Sequence, residues 1–354
     1  MAARTPSRSS DRAPAVRLIH VGLGGWGRDW YRRRLAPFGD VDVVALVDQS
    51  AEALLSAQRE FGVGSSICFA SLEGALEKIE ADAVLITASL PGHVPAARTA
   101  IEAGAHVLME KPFAPSVDEA RGLVALAARR ERILMISQNY RYFPAPARAA
   151  ELVASGEFGR AGVIHVDFRR NSTVYDERRA RHYALPHPLL ADMAIHHFDL
   201  MRLVAGADAT RVRCHSFNPP WSHFHDDPAA EAVVEMENGV VVTYRGSWVS
   251  HGTETPWAGE WRIECERGEI RFTSRGDETG ELDELCVRTK GRDQRIALET
   301  TDAADRTGSL TEFVRCVRTG AIPSTSGAAN VGSIGLTYAA IEAASSGSWV
   351  TVER

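Results

Sequence analysis

Lys111 lies in the run Met109-Glu110-Lys111-Pro112-Phe113, directly after the short apolar segment His106–Met109, which reads as a β-strand. A lysine at the carboxyl end of such a strand can hydrogen-bond a substrate hydroxyl, and Pro112 restricts the backbone of the residue before it. Taken alone, a Lys-Pro pair describes a surface lysine at a turn better. Asp192 and His196 are the second set. In the helical pattern of Leu190–Asp199 they stand at i, i+4 on one face, Asp199 sits one turn further along, and His197 points about 100° away. A histidine with an ordinary pKa of about 6.5 accepts an alcohol proton at neutral pH, and a nearby carboxylate orients it and stabilises its charged form. The same spacing serves a buried polar network or a metal pair, and spacing does not choose among the three.

A third set is rich in glycine. The strand-like run Val16–Val21 leads straight into Gly22-Leu23-Gly24-Gly25-Trp26-Gly27 and then a helix. That context turns a weak Gly-x-Gly-x-x-Gly match into a specific one. Gly22 permits the tight turn, Gly24 lets the backbone approach a pyrophosphate, and Gly27 allows close helix–strand packing, while the helix N-terminus offers unpaired N–H groups to the phosphates. A second strand, Val41–Val47, ends on Asp48, about 20 residues further on, where a carboxylate accepts hydrogen bonds from ribose hydroxyls and repels a 2′-phosphate. Gln49-Ser50 follow without an arginine, so NAD is expected over NADP.

These residues need a scaffold. From Val16 to Ser137, the apolar runs Val16–Val21, Val41–Val47, Ala83–Ile86, His106–Met109 and Ile133–Ile136 alternate with helix-length segments. Such runs indicate a parallel, doubly wound sheet covered on both faces. Beyond Gln138 the texture changes. Helices around Ala145–Ala154 and Leu189–Val204 accompany a run at Ala161–Arg170 and then Val212–Phe217, Ala230–Glu237, Val240–Val249, Trp261–Glu266 and Glu269–Phe272. These alternating runs, with turns at Asn238-Gly239 and Arg267-Gly268, predict an antiparallel meander. Helices Ser309–Arg318 and Ala328–Ala344 and a strand at Trp349–Val352 close the chain. The expected fold is α/β: a doubly wound domain over residues 15–138 and a second α/β domain, 139–354, with a large, mainly antiparallel open sheet. Chain order need not fully separate the two in space.

With 354 residues, 24% of them charged and a formal charge of −6, the chain reads as an ordinary globular protein. No apolar stretch reaches the roughly 20 residues that span a bilayer, and the charge argues against broad nucleic-acid binding. The basic run Arg32-Arg33-Arg34 reads as a solvated helix face. Five scattered cysteines without a Cys-x-x-Cys pair suggest neither a disulfide framework nor a zinc knuckle, and fit a reducing compartment. Residues 1–14, rich in Arg, Ser and Pro without an apolar core, read as a disordered tail rather than a secretory signal, so a cytoplasmic location is expected.

The combination of Gly22-x-Gly24-x-x-Gly27, Glu110-Lys111-Pro112 and Asp192-x-x-x-His196-x-x-Asp199 resembles the glucose-fructose oxidoreductase and inositol dehydrogenase family, Gfo/Idh/MocA. Gln138-Asn139-Tyr140-Arg141-Tyr142, the His93 segment and the closing Gly347–Val352 add to it. The resemblance implies an NAD-binding Rossmann domain followed by a substrate-binding domain whose open sheet often forms oligomer contacts, here a homodimer or homotetramer. It implies Lys111 as the active-site lysine, His196 as acid/base and Asp192 as the carboxylate supporting proton transfer. It places Gly22, Gly24, Gly25, Trp26, Gly27, Asp48, Thr87, Ser89, His93, Glu110, Lys111, Asn139 and Arg141 near the cofactor. Ala194 departs from the glycine usual in the helix motif, and Thr87-Ala88-Ser89-Leu90-Pro91-Gly92-His93 departs from the usual Thr-Pro before the histidine.

The implied activity is hydride transfer between nicotinamide and a secondary alcohol or ketone of a sugar, sugar derivative or inositol. Lys111, Tyr183, Asp192, His196 and Trp257 are its candidate substrate contacts. Trp248, Trp257 and Trp261 suit the apolar faces of sugar rings, although core packing is the commoner use of tryptophan. His223, His225 and Asp226 resemble a ligand cluster, but hydride transfer needs no metal and none is assigned. Two other readings share these residues: an NAD-dependent glycosidase using transient oxidation and elimination, and a non-catalytic cofactor-binding sensor.

Overall fold

The computed structural model describes residues 13–299, 301 and 303–354. Of the stretch read as a tail, residues 1–12 lie outside the described residues.

Two sheets organise the chain. The first has six parallel strands, β1 (Val16–Val21), β2 (Val41–Val47), β3 (Cys68–Phe69), β4 (Ala83–Ile86), β5 (His106–Met109) and β6 (Leu134–Ile136), in the order β3-β2-β1-β4-β5-β6. Every residue of β4 and β6 is buried, as strands covered on both faces must be. Serine caps start several of the covering helices. Ser50, Ser71 and Ser116 each accept a backbone N–H from three residues on, and Glu52, Glu73 and Glu119 place negative charge in the first turns. Because β1 lies between β2 and β4, the chain departs in opposite directions on its two sides. The crevice this leaves lies beyond the strands' carboxyl ends.

The second sheet has nine strands: β7 (Ala161–Arg169), β8 (Ala209–Phe217), β9 (Ala229–Met236), β10 (Val241–Ser247), β11 (Glu260–Cys265), β12 (Gly268–Thr273), β13 (Glu284–Thr289), β14 (Arg292–Arg295) and β15 (Val350–Thr351). Their order, β14-β13-β12-β11-β7-β10-β9-β8-β15, is antiparallel except where β7 runs parallel to β10. The expected meander is therefore interrupted, because β7 inserts between β10 and β11. The inward residues of β7, Ile164, Val166 and Phe168, join one core with Leu152, Val204 and Ala340 from the covering helices. Its outward His165 and Asp167 lie on an open, polar face with Thr243, Arg245 and Arg262.

The last two helices cross between the units. Leu310, Phe313 and Val314 of the helix Asp305–Thr319 share a core with Val16, Leu18 and Trp30. In the helix Gly327–Ser346, Val331 and Ile334 pack with Val107 and Ile136, whereas Leu336, Ala339 and Ala340 belong to the second sheet's core. A helix apolar on all sides is one buried between two bodies.

Candidate active site

The ends of β1, β4 and β5 deliver three loops to one cavity of about 1050 Å³, and the second unit supplies the opposite wall. After β1, Gly22 adopts φ 93°, and a Cβ there would lie 2.4 Å from the backbone N of Ala88. At Gly27 a Cβ would lie 1.8 Å from the Gly22 carbonyl oxygen, so glycine alone lets the helix pack this closely. Gly24 and Gly25 differ: nothing stands within 4 Å of a Cβ built on either, and both line the cavity. The backbone is thus open where a pyrophosphate would approach.

Asp48 steadies this loop. Its carboxylate accepts N–H from Leu23 at 2.7 Å and from Ser50 at 2.8 Å, leaving lone pairs on both oxygens for ribose hydroxyls. The Thr87 hydroxyl donates to the Gly22 carbonyl at 2.7 Å and stands 2.9 Å from Nε2 of His20, whose pKa burial lowers to about 3. The two ring nitrogens of His93 face the carbonyls of Pro112 and Ala88 at 2.8 and 2.9 Å, which ties the β4 loop to the β5 loop. Buried Glu110 accepts the Trp30 indole N–H at 2.7 Å. Ser89 and Trp26 also line the cavity, as does Asn139, whose amide donates to Asp305. The glycine loop, Asp48 and the cavity fit a dinucleotide such as NAD.

On the far wall, the segment Pro188–Ala194 forms a wide, π-type turn that passes into the helix Ile195–Ala205. Lys111 reaches it from β5. Its Nζ donates to the Asp192 carbonyl at 2.6 Å and to the Asp192 carboxylate at 2.9 Å. Burial pushes the Asp192 pKa up, but Lys111, His182 and Arg179 outweigh it and hold the carboxyl below its ordinary value. His196 stacks on Tyr140 at 4.2 Å between centroids. Its pKa falls well below 6.5, mainly through burial and further through Lys111, Arg275 and His197. The ring is therefore neutral near pH 7. Nδ1 is buried without a hydrogen-bond partner, which leaves Nε2 as the nitrogen able to face a substrate. The cluster pairs a fixed cation with a neutral proton acceptor, a combination suited to deprotonating an alcohol.

Residues 16–138 match the oxidoreductase family with the NAD-binding Rossmann fold, and residues 147–271 match the GFO/IDH/MocA C-terminal domain. The chain belongs to the Gfo/Idh/MocA family of NAD-binding oxidoreductases. A similar protein over nearly the full length is the uncharacterized protein y4oX of Sinorhizobium fredii, 26% identical over 346 residues and covering 96% of each chain. The 1,5-anhydro-D-fructose reductase of Ensifer adhaerens is 25% identical over 243 residues, 66% of this chain and 70% of that protein. The fold matches an oxidoreductase of Agrobacterium radiobacter solved with NAD+, L-tartaric acid and magnesium, with a TM-score of 0.83, 19% identity and coverage of 95% of this chain and 98% of that one.

Within this Gfo/Idh/MocA chain, several residues named from the sequence stand off the cavity. Arg141 makes a two-pronged pair with buried Asp199, which also accepts the Ser333 hydroxyl at 2.7 Å. That pair fastens the inter-unit segment to the helix Ile195–Ala205 and takes up two of the five Arg141 N–H donors, and Arg141 does not line the cavity. Tyr183 is buried against Phe224, its hydroxyl 3.2 Å from the Asp176 N–H, because its short helix turns the ring inward. Trp257 does line the cavity, beneath the Arg170 guanidinium at 3.9 Å. The arginine run is not a solvated face throughout. Arg34 is largely buried and pairs with Asp305 at 2.9 Å and Glu278 at 3.1 Å. Among the described residues, no group of three or more His, Cys, Asp or Glu is placed to hold a metal ion.

Sequence reasoning missed the cavity residues Arg179, His182 and Arg275. Arg179 and His182 are one turn apart at i, i+3, a signal of a shared face. Arg275 precedes a glycine in a turn and carried no signal.

Proposed function

We propose that the chain oxidises a secondary alcohol of a carbohydrate or polyol with NAD, or runs the reverse reduction, using Lys111, Asp192 and His196. The observation that supports this is the convergence of those three residues on the cavity that the glycine loop also lines. The two-unit division, 15–138 for the cofactor and 139–354 for the substrate, is part of the proposal, although the last helices pack against both.

NAD, when bound, supplies the hydride acceptor. Lys111 holds the substrate oxygen and offsets the negative charge that develops on it, and Asp192 holds Lys111 by two contacts. Nε2 of neutral His196 takes the hydroxyl proton as the carbinol C–H electron pair leaves as hydride, so a carbonyl forms. Trp257 offers a face to the sugar ring. Gly22, Gly24, Gly25, Trp26, Gly27, Asp48, Thr87, Ser89, Glu110 and Asn139 hold the cofactor, and His93 positions their loops. Asp48 supports NAD over NADP.

A screen of inositols, aldoses and sugar acids by NADH absorbance, with NAD and NADP in parallel, tests the reading. On a verified substrate, Lys111→Ala is expected to lower turnover by about 10²- to 10⁴-fold with NAD binding retained; unchanged turnover would remove Lys111 from the reaction. We further propose a cytoplasmic homodimer or homotetramer joined through the open face of the nine-stranded sheet, to be checked by light scattering. No described helix is long and apolar enough to cross a membrane.

A further inference from the structure

Arg179 stands on the cavity wall with an unusual set of partners. Its Nη1 donates to the Ser172 hydroxyl at 2.8 Å and its Nη2 to Nδ1 of His182 at 3.3 Å. Among the described residues, no carboxylate lies within 4.0 Å of it, whereas the acids lining the same cavity are all engaged. Glu110 accepts from Trp30, Asp192 from Lys111, Asp277 from three backbone N–H groups, and Glu278 from Arg33 and Arg34. The Arg179 guanidinium therefore keeps three of its five N–H donors, enough to receive a ligand carboxylate.

Its neighbours suit such a ligand. His182 accepts from Arg179 at Nδ1, which leaves the proton of the neutral ring on Nε2, 3.7 Å from Asp192. Burial lowers the pKa of His182. Trp248 lies beside both residues, 4.9 Å from the His182 ring and 5.8 Å from the Arg179 guanidinium, and walls the subsite on its apolar side. The series Lys111, Asp192, His182, Arg179 thus leads along one wall from the proposed reacting oxygen to an arginine without a carboxylate at ion-pair distance among the described residues.

Resting on the reading above, we propose that this cavity takes a sugar acid, whose carboxylate is bound by Arg179 while a secondary alcohol lies at Lys111 and His196. Of the two arginines lining the cavity, Arg275 donates to the Tyr140 hydroxyl at 2.9 Å and pairs with Asp305 at 3.9 Å; Arg179 alone, with Asp192 nearby, matches one negative charge better than the two of a phosphate monoester.

The test compares D-glucuronate and D-galacturonate with D-glucose, D-galactose and D-glucose 6-phosphate. NADH production is followed in wild type, Arg179→Gln and Arg179→Lys, alongside calorimetric binding of each compound to the enzyme–NADH complex. Wild type is expected to favour the uronate over its neutral partner by about 100-fold in kcat/KM. Arg179→Gln should lower that ratio by about 100-fold, chiefly through KM, and Arg179→Lys by less. An unchanged thermal midpoint in each variant shows that the protein is folded, and NADH affinity is measured separately. A weakened NADH affinity as large as the lost selectivity would assign Arg179 to the cofactor and overturn the proposal. So would a preference for the phosphate, or neutral sugars oxidised while uronates neither react nor bind. Arg179-dependent uronate binding with no hydride transfer from any compound would uphold the subsite and sink the dehydrogenase reading. Absence of binding and turnover with every compound would overturn both.

Discussion

The His196 ring is neutral because its surroundings make charging it costly: it is buried, stacked on Tyr140 and near the positive Lys111 and Arg275. In the proposed reaction, a proton acceptor tuned in this way would stay competent below the ordinary histidine range, at some loss of basicity. The acid limb of the kcat/KM profile should therefore fall below pH 6.5, the ordinary histidine value. Replacing His196 with Asn should lower turnover by about 10²- to 10⁴-fold and leave a residual rate without that limb. A limb at or above 6.5, or one that persists in the Asn variant, would assign the titration to another group. His197 illustrates how one residue along a helix changes the task. Its ring turns to the Tyr244 hydroxyl at 3.1 Å and the Trp257 carbonyl at 3.0 Å, and serves packing.

Among the elements, the turn after β1 separates two uses of glycine. Gly27→Ala forces a methyl to within 1.8 Å of the Gly22 carbonyl, so helix and strand must part and the protein should lose stability, by roughly 2 kcal/mol or more as overpacking does. Gly24→Ala meets nothing of the protein, and Gly24 already has φ −62°. Its thermal midpoint should stay within a few degrees of wild type while the NAD dissociation constant rises at least about 10-fold, read by calorimetry. Equal NAD affinity in the Gly24→Ala protein would mean that the cofactor does not approach this backbone. The turn was legible because strand, glycine spacing and Asp48 are all local. Strands β1, β2, β4, β5 and β6 were legible for a similar reason, since burial on both faces writes continuous apolar runs. The second sheet was less so. The insertion of β7 between β10 and β11 joins residues far apart in sequence, and β14 is exposed at every position, so it carries no alternation. The Pro188–Ala194 turn was read as ordinary helix because its periodicity differs little over seven residues. Asp192 and His196 nonetheless line one cavity, while Asp199 turns to Arg141.

For the molecule as a whole, the helix Gly327–Ser346 contributes to both large cores, so neither sheet can melt without uncovering part of the other. A single cooperative unfolding transition is expected, and its pH dependence is led by three fully buried histidines, with His182 and His106, also lowered by burial, adding in the same direction. Burial lowers the pKa of His20 to about 3 and of His197 to about 4, and places His196 well below 6.5. In the unfolded chain all three return to about 6.5. Below that value the unfolded state binds protons that the native state refuses, so the stability these groups contribute is complete above pH 6.5 and is lost as pH falls toward 4 and then 3. Each group sets a limiting slope of about 1.4 kcal/mol per pH unit, and three together about 4. The lowered carboxyls of Asp192 and Asp305 act in the same direction but only near and below their ordinary value of 3.8, outside the range from pH 7 to 5. Urea unfolding between pH 7 and 5 should show the midpoint falling steeply below 6.5 with an unchanged m value. In His20→Asn the slope should shrink by about one proton, whatever the variant's absolute stability. A midpoint that stays level from pH 7 to 5 would mean these rings take up protons in the folded protein, and His196 could not then be the neutral acceptor.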